Sequence, residues 1–122
     1  MSRGDGFVDA IIRMRGISKS FGSLRANDSI DFELYPGETH ALVGENGAGK
    51  TTLMRILYGQ YKADSGTIEV DGKPVTYNVA GAMKLGIGMV HQNFMQIEKM
   101  SILENIIMAS APSRFGFIRY KE

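Results

Sequence analysis

Residues 44–52 constrain the fold of this chain more than any other segment, because they join a glycine-rich loop to the start of a helical pattern. Their sequence, Gly-Glu-Asn-Gly-Ala-Gly-Lys-Thr-Thr, follows a short apolar run at 41–43. After Lys50 the apolar residues are spaced three and four apart, which is typical of an amphipathic helix. Glycine lets a ligand approach the backbone closely, and a helix N-terminus presents free N–H groups. The segment therefore predicts a strand, an anion-binding loop and a helix in succession.

The spacing of Gly44, Gly49, Lys50 and Thr51 is that of a P-loop, which binds the phosphates of a nucleoside triphosphate. The side chain of Lys50 is long enough to reach the β- and γ-phosphates and to neutralise their charge. The hydroxyl of Thr51 is a hard oxygen ligand of the kind that Mg²⁺ prefers. The nucleotide-binding residues predicted in this segment are Gly44, Asn46, Gly47, Ala48, Gly49, Lys50, Thr51 and Thr52.

Composition limits the other functions that the chain can have. With 122 residues, 43% of them hydrophobic and 22% charged, the chain suits one globular domain at most. Its net charge of +1 and its scattered lysines and arginines do not favour binding to nucleic acid. It has no cysteine, which fits a reducing compartment. The first residues lack the apolar core of a signal peptide, so we expect a soluble, cytoplasmic chain.

Alternation and turn signals predict β-structure before the loop. Residues 1–9 are small, polar and mixed in charge, and we expect them to be a flexible lead-in. A half-buried strand is predicted at 10–17. Residues 29–35 alternate between apolar and polar side chains, as a strand with one wet face does. After the turn signal Pro36-Gly37, a strand at 38–43 leads into the loop.

The elements predicted after the loop begin with a helix and a hairpin. The helix that starts at Lys50 is expected to end at Gly59. Segments 67–70 and 73–76 flank Asp71-Gly72, a strong hairpin signal. A small antiparallel unit therefore follows the helix.

The remaining predicted elements alternate between helix and strand. A short helix is expected at 79–85 and a short buried strand at 87–91. Ser101 and Glu104 form a capping-box pattern that opens a further helix, which Pro112 ends. The side chains expected to face inward on that helix are Ile102, Leu103, Ile106 and Ile107. The last ten or so residues carry no readable pattern.

Three blocks of sequence together resemble the ATP-binding subunit of an ABC transporter. They are the loop with its flanks at 41–54, Asp-Ser-Gly-Thr-Ile-Glu-Val-Asp-Gly at 64–72, and Gly-Met-Val-His-Gln at 88–92. Within the family, Val-His-Gln and a later Glu-Asn-Ile at 104–106 look most similar to importer ATPases for simple sugars and nucleosides. The resemblance implies an α/β fold with a P-loop NTPase core of the ABC ATPase type and an antiparallel β-subdomain. Residues 10–122 would be the N-terminal portion of that nucleotide-binding domain.

The resemblance also assigns roles to residues outside the loop. Phe21 occupies the place of an aromatic residue that stacks on adenine, and the alternative is an ordinary core or turn phenylalanine. Gln92 matches the glutamine of the Q-loop, whose side-chain oxygen completes the Mg²⁺ shell, and the alternative is a solvated loop residue. Lys50 and Gln92 are thus the candidate catalytic residues, Thr51 and Gln92 the candidate metal ligands, and ATP and Mg²⁺ the cofactors.

Two further groups of residues are open to a functional and a structural interpretation. Residues 93–100 would contact the membrane-spanning partner, and the alternative is a satellite apolar cluster under a loop. His40 and His91 have no second histidine or carboxylate at metal-ligand spacing and are interpreted as structural.

The resemblance implies a subunit that works in an assembly. Its partners would be transmembrane permease subunits, a second nucleotide-binding domain and, indirectly, a solute-binding protein, and it would lie at the cytoplasmic face of the membrane. The intact subunit would couple ATP hydrolysis to import of a small solute, a sugar or a nucleoside.

Three functional parts of the family have no counterpart in the 122 residues: the Asp-Glu strand, the Leu-Ser-Gly-Gly-Gln signature and the switch histidine. We therefore expect little or no ATP hydrolysis by this chain alone. The alternatives are another P-loop family, such as a nucleotide kinase or small GTPase, and a truncated nucleotide-binding module without catalytic activity.

Overall fold

A computed structural model describes residues 9–45, 47, 49–93, 96–107, 113–114 and 117–118. The chain divides into two compact units, Met1–Met89 and Val90–Glu122. The predicted lead-in at 1–9 lies outside the described residues except for Asp9, and so does the predicted helix stop at Pro112.

The first unit is built on a four-stranded antiparallel sheet. Its strands are β1 (Ile12–Phe21), β2 (Leu24–Leu34), β3 (Ser65–Val70) and β4 (Lys73–Pro74), in the order β2-β1-β3-β4. Strands β1 and β2 form a hairpin whose turn contains Gly22 at a φ of 59°, a left-handed conformation that glycine adopts without strain. Strand β1 is therefore the central strand, paired with β2 on one edge and with β3 on the other.

Helix α1 (Lys50–Leu57) packs its apolar side against this sheet. The core side chains come from β1 and α1, and they are Ile12, Met14, Ile17, Leu53, Ile56 and Leu57. Three of them recur on α1 at the spacing that the sequence predicted. The core holds α1 over the sheet. The loop before Lys50 is therefore joined to a helix of fixed position.

Helix α2 (Val79–Lys84) completes the first unit. Asn78 is its N-cap, and the side chain of Asn78 accepts a hydrogen bond from the N–H of Gly81 over 2.9 Å. Gly86 follows the helix at a φ of 85°. The predicted helix at 79–85 is confirmed to within one residue.

The second unit contains α3 (Ile102–Ile107) and a small antiparallel pair, β5 (Ser113–Arg114) and β6 (Phe117–Ile118). The predicted capping box is present, because the N–H of Ser101 donates to a carboxylate oxygen of Glu104 over 2.8 Å. No sequence pattern predicted the β5–β6 pair.

The prediction that four side chains of α3 face inward is wrong for three of them. Ile102, Leu103 and Ile106 are 81%, 60% and 73% exposed. The apolar spacing indicated a helix correctly, but it did not determine what packs against that helix.

Two predicted strands are also absent from the described part of the chain. Residues 38–43 and 87–91 form no strand, and Val43 and Val90 are 89% and 98% exposed. An apolar run of this kind becomes a strand only through ladder hydrogen bonds to a neighbour, and neither described sheet extends to these segments. The structure confirms the α/β class, and its described sheets are antiparallel. No described helix is long and apolar enough to cross a membrane.

Candidate nucleotide-binding site

The N-terminus of α1 presents backbone N–H groups that no described side chain caps. Gly49 is the N-cap, with φ 86° and ψ 7°, and no side chain in the described part of the chain makes a cap hydrogen bond. The first turn carries no acidic residue. The free N–H groups and the positive end of the helix dipole therefore remain suited to an anion.

Strand β2 approaches the loop so closely at Gly49 that a side chain has no room. A Cβ built on Gly49 would lie 2.1 Å from the carbonyl oxygen of Ala26 and 2.7 Å from Nδ2 of Asn27. Asn27 is buried, and its Nδ2 donates to the carbonyl oxygen of Gly49 over 3.1 Å. The same oxygen accepts the N–H of Leu53 over 2.9 Å. The loop is thus fastened to the sheet where the helix begins.

The ammonium group of Lys50 lies across the loop. Its Nζ donates to the carbonyl oxygens of Gly44 and Glu45, the latter over 2.8 Å. These contacts hold the positive charge of Lys50 against the first residues of the loop. Thr51 is exposed and Thr52 is half-buried in the first turn of the helix.

Phe21 ends β1 with its ring partly in solvent, 42% exposed, so it is not a core phenylalanine. The ring of Tyr61 meets it edge-on, with centroids 5.4 Å apart and planes at 68°. Tyr61 is held in turn by Arg55 of α1, whose Nη1 donates to the tyrosine hydroxyl over 2.8 Å. A chain of contacts therefore runs from the exposed ring to the helix that carries Lys50.

Asp64 fastens the end of β1 to the segment before β3. Its carboxylate accepts the N–H of Ser20 over 2.7 Å and pairs with the ammonium of Lys19 over 3.2 Å. The Ser20 hydrogen bond, and after it the Lys19 hydrogen bond, lower the pKa of Asp64 below its ordinary value. These contacts fix the backbone immediately before Phe21.

A cavity of about 510 Å³ lies at the other end of α1, between the residues after the helix and the β3–β4 edge. Tyr61 and Tyr77 are among its lining residues, and the hydroxyl of Tyr77 donates to the carbonyl oxygen of Leu57 over 2.6 Å. Burial raises the pKa of Tyr77. The C-terminal end of a helix carries partial negative charge, so this cavity is not suited to phosphate.

A protein-family model described as "ABC transporter" matches residues 27–121. The chain belongs to the ABC transporter family. This confirms the resemblance drawn from the three sequence blocks, and it decides against the alternative of a kinase or small GTPase.

Individual relatives also support membership of the ABC transporter family. The chain is 47% identical to the ribose import ATP-binding protein RbsA 1 of Rubrobacter xylanophilus, over 88% of this chain and 22% of that protein. It is 46% identical to the guanosine import ATP-binding protein NupO of Bacillus subtilis, over 93% of this chain and 22% of that protein. The chain thus spans about a fifth of the length of these relatives.

A solved structure agrees with the fold. The crystal structure of a nucleotide-free ATP-binding cassette from an ABC transporter aligns with a TM-score of 0.77 and 30% identity. The alignment covers 84% of this chain and 41% of that one. The predicted fold, an ABC ATPase type of P-loop NTPase, is confirmed.

Apart from Phe21, the predicted site residues of this ABC chain fall into three groups. The first unit brings together the described loop residues with the first turn of α1, and these are Gly44, Gly47, Gly49, Lys50, Thr51 and Thr52. Asn46 and Ala48 lie outside the described residues. Gln92 is exposed in the second unit, and its role stays a prediction.

Sequence reasoning missed three residues that support the loop and the exposed ring: Asn27, Arg55 and Tyr61. Asn27 carries a usable signal, because asparagine is uncommon inside strands, but the strand was predicted to begin two residues later. Arg55 and Tyr61 carry no such signal, because a tyrosine beyond the end of a helix can point in many directions.

Proposed function

We propose that this chain is the N-terminal, nucleotide-binding portion of the ATP-binding subunit of an ABC importer for a small solute, a sugar or a nucleoside. The observation that carries the proposal is the N-terminus of α1, where uncapped N–H groups meet the ammonium of Lys50 in a chain of this family. The names of the ribose and guanosine import ATP-binding proteins support the class of solute.

Each site residue has a task that its chemistry suits. Lys50 and the backbone N–H groups of the loop and of the first turn hold the phosphates. The hydroxyl of Thr51 and the side-chain oxygen of Gln92 hold Mg²⁺. The exposed ring of Phe21 stacks on adenine. Bound ATP supplies the phosphoryl group whose transfer to water drives transport, and Mg²⁺ neutralises its charge.

The fit of the loop to a polyphosphate rests on two features of this chain. The left-handed Gly49 has no room for a Cβ, and the first turn of α1 has no carboxylate to repel an anion. The first feature lets β2 hold the loop at the start of the helix, and the second leaves no negative charge there to repel a phosphate.

The proposed partners are permease subunits, a second nucleotide-binding domain and, indirectly, a solute-binding protein, at the cytoplasmic face of the membrane. The partner surface is proposed at 93–100, where Ile97 and Met100 are exposed and Phe94 and Met95 lie outside the described residues. Hydrolysis belongs to the intact subunit.

The test is the thermal stability of the chain with and without Mg-ATP. A ligand that binds only the folded state stabilises it by about 2.7 kcal/mol at a hundred times Kd, so the melting temperature should rise with ATP concentration. Lys50→Ala should abolish most of the rise. Lys62→Ala, which removes the same charge from an exposed position outside the loop, should leave it intact.

Two outcomes would contradict the proposal. One is the absence of any ATP-dependent rise at millimolar Mg-ATP. The other is an equal rise in the chain and in the Lys50→Ala variant, because the loop would then not be where ATP binds.

A further inference from the structure

Asn27 links the sheet to the phosphate-binding loop through one peptide group. Its side chain is only 4% exposed, and its Nδ2 donates to the carbonyl oxygen of Gly49. That oxygen also accepts the first helical hydrogen bond, from the N–H of Leu53. A carbonyl oxygen has two lone pairs and can accept both bonds together. The Gly49 carbonyl is thus held by the helix and by β2.

Holding this oxygen also aims the next N–H group. The carbonyl of Gly49 and the N–H of Lys50 belong to one planar, trans peptide unit, so they point in opposite directions. With the oxygen directed along the helix and towards Asn27, the N–H of Lys50 points out of the helix N-terminus. This N–H is one of the free donors that the proposed function assigns to phosphate.

Packing alone does not account for an asparagine at this position. The Oδ1 atom of Asn27 is buried and has no hydrogen-bond partner in the described part of the chain. An unsatisfied buried acceptor destabilises a folded protein, whereas an apolar side chain of the same size avoids that cost. The useful part of the side chain is therefore its donor, which faces Gly49.

We propose that Asn27 is a positioning residue for the phosphates of the bound nucleotide. It does not contact the nucleotide, and it acts by fixing the Gly49 peptide so that the N–H of Lys50 faces the ligand. The inference rests on the proposed function of the loop as a phosphate site.

The experiment measures binding of Mg-tripolyphosphate and Mg-ATP to the whole chain by calorimetry. Asn27→Leu and Asn27→Asp have nearly the same size as asparagine, and both remove the donor. Asn27→Leu should weaken both ligands by the same factor, about fivefold to tenfold, as the loss of one hydrogen bond does. Asn27→Asp should weaken them at least as much, because its carboxylate also repels the phosphates. Asn78→Ala is the matched control, since it removes the asparagine cap of α2 and should leave both affinities unchanged.

A second readout separates positioning from a purely structural role. In ¹⁵N-resolved NMR spectra, tripolyphosphate should shift the amide signal of Lys50 strongly in the unsubstituted chain and weakly in Asn27→Leu. Amide shifts in the β3–β4 hairpin should be the same in both proteins. Lys50→Ala is measured in parallel to test the loop itself.

The outcomes are distinct. If the unsubstituted chain binds and Lys50→Ala does not, but both Asn27 variants bind normally, the positioning role is refuted and the proposed function stands. If the unsubstituted chain does not bind tripolyphosphate, both are refuted. If neither Asn27 variant folds, as judged by circular dichroism, the residue serves the fold and the positioning role is refuted.

Discussion

Replacing Gly49 by alanine tests the close approach of β2 to the loop. Two effects add in this substitution. A non-glycine residue at a φ of 86° costs about 1–2 kcal/mol, because its Cβ crowds the following carbonyl. The new Cβ would also lie 2.1 Å from the carbonyl oxygen of Ala26, a backbone atom that cannot rotate away. Overpacking of this kind typically costs about 1–3 kcal/mol.

Gly47→Ala is the control that isolates the second effect. Gly47 has nearly the same φ, 85°, and a Cβ there would have nothing within 4 Å. It should therefore lose only the conformational part, about 1–2 kcal/mol. Gly49→Ala should lose about 1–3 kcal/mol more than Gly47→Ala. Urea denaturation followed by circular dichroism measures both losses, with the slopes compared to confirm two-state unfolding.

The refuting result is a pair of equal losses. If the free energies of unfolding of the two variants agree within about 0.5 kcal/mol, a typical surface effect, then β2 does not press on Gly49. The loop would then not be fastened to the sheet at Gly49.

Four other substitutions have defined outcomes. Ile56→Ala removes a buried core side chain and should cost about 2–5 kcal/mol in urea denaturation, whereas Ile102→Ala on the exposed face of α3 should change stability by less than about 0.5 kcal/mol. The hydrogen bond from the Tyr35 hydroxyl, and after it one from an arginine, lower the pKa of Glu33, so its stabilisation is present above about pH 4.3 and is lost as pH falls through the lower folded value. Glu33→Gln should therefore reduce the loss of stability on acidification, measured by urea titrations at a series of pH values. Asn78→Ala should cost about 1 kcal/mol, as loss of an N-cap does, and equal melting temperatures would contradict the cap.

Local signals in the sequence predicted much of this structure. The Asp71-Gly72 turn, the apolar spacing of α1 and the capping box at Ser101 each depend on residues a few positions apart. Such patterns contain both partners of the interaction that they predict. The glycine-rich loop belongs to the same class, since its spacing and its neighbours indicated the loop and the helix start together.

Those local signals could not predict long-range interactions. The runs at 38–43 and 87–91 are apolar enough for strands, but a strand also needs a neighbour that offers hydrogen bonds. The contact of Asn27 with Gly49 joins residues that are 22 positions apart, and it depends on the register of the β1–β2 pair, where bulges shift the strands against each other.

The central position of β1 has a consequence for hydrogen exchange. Its residues Ile12, Arg13 and Met14 each have partners on both β2 and β3, and the Met14 side chain is fully buried under α1. Their amides can exchange with solvent only when the sheet opens as a whole, so their protection factors report global unfolding. A ligand that stabilises the loop and α1 will therefore slow exchange in a strand that it never touches.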